Sequence, residues 1–478
     1  MNPLNFRQLE DRARDVDPDL RYMALEDFQK HLNGPKTTQL RSVWAFVPLL
    51  FNLLADSATE VQNQAVRSFA PLVRHSSDAE TAEIVEKLFH AIESTANDSK
   101  FSTSVPTLAL RSIFTESTAR FGPALSRTVL DALLPRIFAS GAMNIDKIEV
   151  FIDMARALGR TFALSELLSI VAALIGGAFR ENGIIGKRSI IAVDACLPYA
   201  LNASQDQHAQ VLQFFDKVVA DVIDLARNCP ASLHTTNVLY TLLQVVLAQA
   251  SETRAISEAS LRVVFQEIMT GLRLDSLSEA VDTEDWDIDE LIQTNIVREN
   301  ALITLSGLVS CFTSDAFMCT YASSVFDIVE KFIAYDPLLS QDSGNEDDSG
   351  AESEFEFSDD EEIEQFENTG ENDVLAAKLR LLALVIIKKV IHEIPFALLA
   401  LLKEPIPGMV VSALGDRSEI VSNEAIITLV AFLRTAATSK RYVRSRAGSD
   451  VSMATESAES TPFSIVSKEH IESIEQMV

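Results

Sequence analysis

The feature that most constrains this chain is a short stretch that recurs. From Asp56 to Val73, DSATEVQNQAVRSFAPLV carries an Asp, an apolar residue at Val61, then Ala65, Phe69, Leu72 and Val73. Steps of three and four place these side chains on one stripe of a helix. The template returns as Asp15 with Leu20, Ala24, Phe28 and Leu32, and as Asp416 with Val421, Ala425, Leu429, Phe432 and Leu433. A further copy, Val297, Ala301, Leu305, Leu308 and Val309, lacks the Asp, while Asn63 and Asn423 occupy the same offset in two Asp-led copies. Leu20 and Val61 stand 41 residues apart, within the range of about 40–47 for HEAT and armadillo units and outside the roughly 33–34 of ankyrin and tetratricopeptide repeats. The expected fold is therefore all-α, a HEAT-repeat α-solenoid in which antiparallel helix pairs stack into a curved superhelix. Asp56, Asn63, Asp416 and Asn423 are expected to form a structural ladder linking helix starts between repeats.

An array of this kind overrides the several separate domains that 478 residues would otherwise suggest. The 16 glycines and 15 prolines are too few for a turn-rich β protein. Helical stripes can be placed in succession from Leu4 to Tyr335. They pair as Leu40–Leu54 with the Val61 helix, Ala79–Thr95 with Val105–Phe121, Leu125–Ala139 with Ile145–Leu158, and Leu164–Phe179 with Ile184–Leu201. Gln207–Arg227 with Leu233–Ala250 and Ser260–Leu272 with Asp289–Phe312 continue the series. Ser57 and Glu60 are expected to cap the Val61 helix. The acidic DTEDWDIDE, Asp282 to Glu290, reads as a helix lead-in with Trp286 against a neighbour.

Residues 340–373 hold fifteen Asp and Glu and no Lys or Arg, so half of the net charge of −29 sits there. Self-repulsion and few large apolar residues predict a disordered loop. The domain reading is a HEAT array over 1–339, the acidic loop at 340–373, a continued array at 374–437, a flexible basic and Ser-rich linker at 438–462, and a terminal helix lacking its partner at 463–478. In the continued array, helices are expected at Val374–Ile394, Ala397–Leu414 and Ile420–Ala436. Lys440 to Arg446 (KRYVRSR) reads as a solvated loop, with nuclear import the sharper alternative.

The acidic balance argues against nucleic acid and towards basic protein surfaces. No apolar run reaches the roughly 18 residues of a membrane span, and the N-terminus has acids where a signal peptide has its apolar core; an intracellular chain is expected. Cys196, Cys229, Cys311 and Cys319 have no CxxC spacing and read as buried small apolar residues. The seven histidines are scattered, with no HExxH. No metal, cofactor or catalytic residue is expected, and a non-enzymatic binding scaffold is the reading. Gly183, Gly186, Lys187 and Ser189 miss phosphate-loop spacing and read as a glycine break between two helices.

Candidate contact residues are the acidic Asp359, Asp360, Glu361 and Glu362, suited to steering a basic surface, and Ile465, Ile471 and Ile474, an apolar stripe with no following helix. Ser343, Ser349 and Ser358 each precede a Glu by three residues, a pattern that acidophilic kinases favour.

DPDLRYMALEDFQKHL (Asp17 to Leu32), VPLLFNLLADSATEVQNQAVRSFAPLV (Val47 to Val73), GKRSIIA (Gly186 to Ala192) and IAYDPLL (Ile333 to Leu339) running into the acidic segment resemble, in order, the N-terminal half of the cullin-associated, neddylation-dissociated (Cand) proteins. That resemblance implies a HEAT solenoid that wraps cullin–RING ubiquitin ligase scaffolds lacking the ubiquitin-like modifier. It implies an N-terminal arm that embraces the cullin C-terminal and RING end and shields the modification lysine, with adaptor exchange requiring a C-terminal arm. Family members are much longer, so the chain is expected to be either a fragment or one half of a factor supplied as two chains. Nuclear and cytoplasmic localisation is expected. The rival reading is an importin-β-like nuclear-transport receptor, also an acidic HEAT array, and a phosphatase-type scaffold is a third.

Overall fold

The computed structural model describes residues 6–34, 40–95, 104–139, 144–181, 183–201, 208–275, 277, 288–335, 359–394, 397 and 405–447. Among these the chain is all-α and HEAT-like, and its contacts divide it into two units, Met1–Pro230 and Ala231–Val478.

In the first unit the helices are α1 (Phe6–Ala13), α2 (Pro18–Leu32), α3 (Leu40–Leu53), α4 (Thr59–His75), α5 (Asp78–Thr95), α6 (Val105–Glu116), α7 (Pro123–Ile137), α8 (Ile145–Leu158), α9 (Leu164–Arg180), α10 (Ile184–Ala200) and α11 (His208–Asn228). The even-numbered helices from α2 to α10 pack successively on one another in an unbroken row. The odd-numbered helices flank that row, with α3 on α4, α5 on α6, α7 on α8 and α9 on α10. The predicted stripe is the buried one: Ala24, Phe28, Val61, Ala65 and Phe69 are all at or near zero exposure. The Phe28 and Phe46 rings lie 4.4 Å apart, tilted by 30°, and Phe51 meets Phe69 edge-on, so α3 shares apolar contacts with both α2 and α4.

Local chemistry fixes the helix starts. Pro18 occupies the first turn of α2 while Asp17 accepts the amide of Asp19. Ser77 and Glu80 bond reciprocally before and within α5, a capping box. Pro71 lies inside α4 and cannot donate to the carbonyl of Arg67; the Gln29 side chain of α2 does so instead, at 3.2 Å. The break before α10 is made by Gly183 at φ +85° and by Gly186, where a Cβ would stand 2.2 Å from the carbonyl oxygen of Glu181.

The second unit contains α12 (Leu233–Ser251), α13 (Glu258–Leu272), α14 (Ile288–Val309), α15 (Ala322–Ile333), α16 (Asp359–Glu393), α17 (Ile406–Ser412) and α18 (Glu419–Ala447), with a π-helical turn at Phe317–Tyr321. Here α12, α14, α16 and α18 make the continuous row; α13 leans on α14, α15 on α16, and α17 on both α15 and α18.

Two boundaries differ from expectation. Residues 359–373, expected as loop, are the first turns of α16. Their Glu and Gln favour helix, and acids at a helix N-terminus interact well with its dipole. Residues 438–447, expected as linker, continue α18. Residues 340–358 and 448–478, as well as Trp286, lie outside the described residues.

Candidate functional site

The recurring Asp is the centre of one arrangement built twice. Before α4, the Asp56 carboxylate accepts from Arg21 Nε and Nη2 at 2.7 and 2.8 Å and from the Ala58 amide at 2.9 Å. Before α18, Asp416 accepts from Arg380 Nε and Nη2 at 2.7 and 3.1 Å and from the Ser418 amide at 2.8 Å. In each case the guanidinium comes from the preceding helix of the row and also donates to a backbone carbonyl, that of Asp15 or Tyr335, at 2.8 and 3.0 Å. All four charged side chains are largely buried. Fork-to-fork pairing satisfies both partners, which is what makes burial of such a pair tolerable. The Arg21 hydrogen bond holds the Asp56 carboxyl below the usual carboxylate range, and Asp56 in turn raises Arg21.

The asparagines do not join this ladder. Asn63 and Asn423 are exposed on α4 and α18. The adjacent positions serve instead: Gln62 Nε2 donates to the Asp56 carbonyl at 2.6 Å and Ser422 Oγ to the Asp416 carbonyl at 3.0 Å. An offset of one residue turns a side chain by about 100° around a helix, so Asn63 faces away from the turn. Nor does Ser57 cap α4; Ala58 is the N-cap, with no side-chain bond, and Asp56 takes its amide. The copy without Asp shows the alternative. Arg298, buried in α14, donates to the Leu272 carbonyl and to Asn295 Oδ1 at 3.1 Å each and lies 5.7 Å from the Tyr335 ring.

A second arrangement lies along α6, α8 and α10. Glu149 and Asp153 of α8 are buried yet acidic. Arg111 of α6 reaches both, at 3.0 and 2.7 Å; Arg188 of α10 reaches Glu149 at 2.8 Å, and Arg156 reaches Asp153 at 3.6 Å. The arginines are partly exposed, so this stretch of the row shows guanidinium planes to solvent, with the acids beneath. Such planes can donate bidentate hydrogen bonds to carboxylates or stack on aromatic rings.

A third lies on α17 and α18. Ile420, Ile426, Ile427, Val430 and Leu433 of α18 are exposed by 66, 52, 49, 38 and 41%, and Val411 and Leu414 beside them by 47 and 37%. They follow helical spacing on the side of α18 turned away from α16, so Leu433, expected on the stripe of Val421, Ala425 and Phe432, lies on the exposed side and not with those buried residues. Exposed apolar side chains gathered on one helix mark a surface that a second body covers.

Asp359, Asp360, Glu361 and Glu362 form the first turn of α16, and their side chains lie outside the described residues, as do Ser343, Ser349, Ser358, Ile465, Ile471 and Ile474. The cysteines divide: Cys196 and Cys311 are buried, with burial pushing the Cys311 thiol up to about 12, whereas Cys229 is half-buried and Cys319 exposed, on the π-helical turn. The expectation that all four are buried core residues therefore holds for Cys196 and Cys311, only in part for Cys229, and fails for Cys319. Among the described residues, no group of three His, Cys, Asp or Glu is placed to hold a metal ion, and no helix is long and apolar enough to cross a membrane.

No protein-family model matches the chain. Over 461 residues, 91% of its length, it is 31% identical to the Cullin-associated NEDD8-dissociated protein 1 of Candida albicans. It is 26% identical over 228 residues, 41% of its length, to the protein of Emericella nidulans named Cullin-associated NEDD8-dissociated protein 1, N-terminal part. To the Cullin-associated NEDD8-dissociated protein 1 of Dictyostelium discoideum it is 22% identical over 350 residues, 71% of its length. The matches span 36, 66 and 26% of those three relatives, so the chain corresponds to about a third of the first. A crystal structure of an engineered protein covers 90% of the chain and 99% of its own length, with 14% identity and a TM-score of 0.33, too low to bear on the fold. The order of repeats and the similarity along nearly the whole chain lead to one conclusion: this chain belongs to the cullin-associated NEDD8-dissociated (Cand) family.

Proposed function

We propose that this chain is a non-enzymatic regulator of cullin–RING ubiquitin ligases. It binds the unmodified cullin with its RING subunit, shields the neddylation site and, with a C-terminal companion chain, supports exchange of substrate adaptors. The observation that carries this reading is the 31% identity over 91% of the chain to a protein named for cullin association. A relative itself named an N-terminal part supports the companion. Fold alone does not assign a partner, since helical arrays serve many.

The structure suits the role in two ways. Rows of helices offer contact points spread over many turns in place of one cavity, and a contact of that kind recognises a large surface. The partly exposed arginines over Glu149 and Asp153 supply oriented donors, while Asp359, Asp360, Glu361 and Glu362 at the start of α16 steer basic surfaces of the scaffold. The chain acts in nucleus and cytoplasm. A pull-down from native cells tests the partner: enrichment of cullins and RING subunits supports the proposal, and enrichment of a transport GTPase with basic cargo overturns it.

A further inference from the structure

The whole chain carries a net charge of −29, yet residues 104–201 hold ten Lys and Arg against eight Asp and Glu. Three of those eight acids, Asp146, Glu149 and Asp153, lie on one stripe of α8, and each is already partnered within the fold. Asp146 accepts from the Ser104 amide at 2.8 Å and from Thr107 Oγ1 at 2.6 Å. Glu149 takes Arg111 on one carboxylate oxygen and Arg188 on the other; Asp153 takes Arg111 and Arg156 in the same way. The arginines keep donors in hand. Arg111 uses Nη1 and Nε, Arg188 uses Nε alone, and Arg156 approaches through Nη1 at 3.6 Å, so an outward edge of each guanidinium is left for another acceptor. Arg156 and Arg188 are 57 and 43% exposed. Lys187, next to Arg188, is exposed as well. Leu108 and Ile184 are exposed by 38 and 49% and stand three residues before Arg111 and four before Arg188, on the same helix faces as those arginines.

We propose that this strip across α6, α8 and α10 docks an acidic segment of a partner protein, which sets neighbouring carboxylates on Arg156 and Arg188 and an apolar side chain against Leu108 or Ile184. The segment belongs to the cullin–RING scaffold, and in that respect the inference rests on the function proposed above. Three features select this occupant. Buried carboxylates hold Arg111 and Arg188 from beneath and fix their planes, so little side-chain freedom is lost when a second carboxylate arrives. Glu149 and Asp153 are thus positioning residues, which act through the arginines. The positive excess is small and local, three arginines and Lys187 over two carboxylates. That suits a few Asp or Glu side chains and not a continuous phosphate backbone, which the charge of the rest of the chain repels. The exposed leucine and isoleucine beside the guanidiniums complete the mixture of arginine and apolar surface that anchors protein interfaces, and give a nucleic acid nothing to bind.

Carbodiimide coupling of the full chain bound to a reconstituted cullin–RING complex tests this, because the reagent joins an amine only to a carboxylate in contact with it. Peptide mass spectrometry should find Lys187 joined to an Asp or Glu of that complex. In direct binding, Arg156→Gln/Arg188→Gln should weaken the association by at least ~10-fold. Arg111 still pairs with Glu149 and Asp153 in this variant, so its helix content by circular dichroism should be unchanged. Arg156→Lys/Arg188→Lys restores the charge without the fork, and should recover the association rate and its salt dependence but only part of the affinity. Undiminished binding by the Gln variant, full affinity in the Lys variant, or a bound complex in which Lys187 couples to no partner carboxylate would each overturn the proposal and leave the partner reading standing. A labelled single-stranded oligonucleotide that binds the unaltered chain but not the Gln variant would assign the strip to phosphates and overturn it too. Failure of the unaltered chain to bind the complex would overturn the partner reading itself, and this proposal with it.

Discussion

Helices α8 and α18 belong to the same kind of row, yet they are bounded differently. Helix α8 has α6 on one side and α10 on the other; from Ile148 to Ala155 every residue is buried, including the acids Glu149 and Asp153. Helix α18 has α16 on one side, and its other side is lined by half-exposed isoleucines. The acids Glu149 and Asp153 of α8 are met by arginines that include one from each neighbour, whereas the described ion pairs of Asp416 and Glu424, at and within α18, run to α16. A repeat helix is thus legible from its two faces separately. Charge paired on both sides marks a helix with two neighbours, and an apolar stripe left in solvent marks a face made for another body.

The largest expected effect breaks the enclosed side of that comparison. Phe151→Ala removes a fully buried ring that packs edge-on against Phe138, and should destabilise the first unit by about 3–5 kcal/mol, read from urea unfolding. Ile427→Ala on the open face of α18 should cost about 1 kcal/mol or less in the same assay, and an equal loss at the two positions would erase the distinction.

Next come the two turns. Arg380→Ala and Arg21→Ala leave Asp416 and Asp56 without their forks and should each cost about 2–3 kcal/mol. Amide exchange at Ala58 and Ser418 locates each loss, since those amides are held by the orphaned carboxylates. Asn63→Ala and Asn423→Ala, by contrast, should change stability by no more than about 0.5 kcal/mol.

A smaller effect depends on pH. Because Arg21 depresses the Asp56 carboxyl in the folded chain, its contribution is fully present above the unfolded value of about 3.9 and is lost as pH falls through the folded value. The stability difference between the unaltered chain and Asp56→Asn should therefore stay level from neutral pH down to about pH 5 and shrink below about pH 4. A difference that instead shrank as pH rose would contradict the assigned pair.

Much of the fold was legible because one apolar stripe repeats. Val61, Ala65 and Phe69 announce a helix and its buried face at once, and α5 to α14 fall within a few residues of where spacing puts them. The partners of the recurring Asp were not read. Arg21 and Arg380 sit one position after the first stripe residue, Leu20 and Leu379, some 35 and 36 residues before the Asp they hold. Their offset is a usable signal, but the stripe that starts at Leu379 and continues through Ala383 and Ile387 has Val374, not Asp, five residues before it. Asn63 and Asn423 drew attention because they repeat, although repetition on an exposed face carries no packing. The acids of α8 were invisible for a different reason: only the fold brings Arg111 and Arg188 to them from 38 and 39 residues away. Charge composition misled at residues 359–373, where acids that repel one another in a loop also favour a helix start.

Direct binding of the purified full chain to a reconstituted cullin–RING complex, immobilised with and without the ubiquitin-like modifier, tests the central claim. The account predicts saturable association with the unmodified complex, weakened by at least ~10-fold on modification, about 1.4 kcal/mol. Absence of binding to the unmodified complex, or equal affinity for both forms, would contradict it.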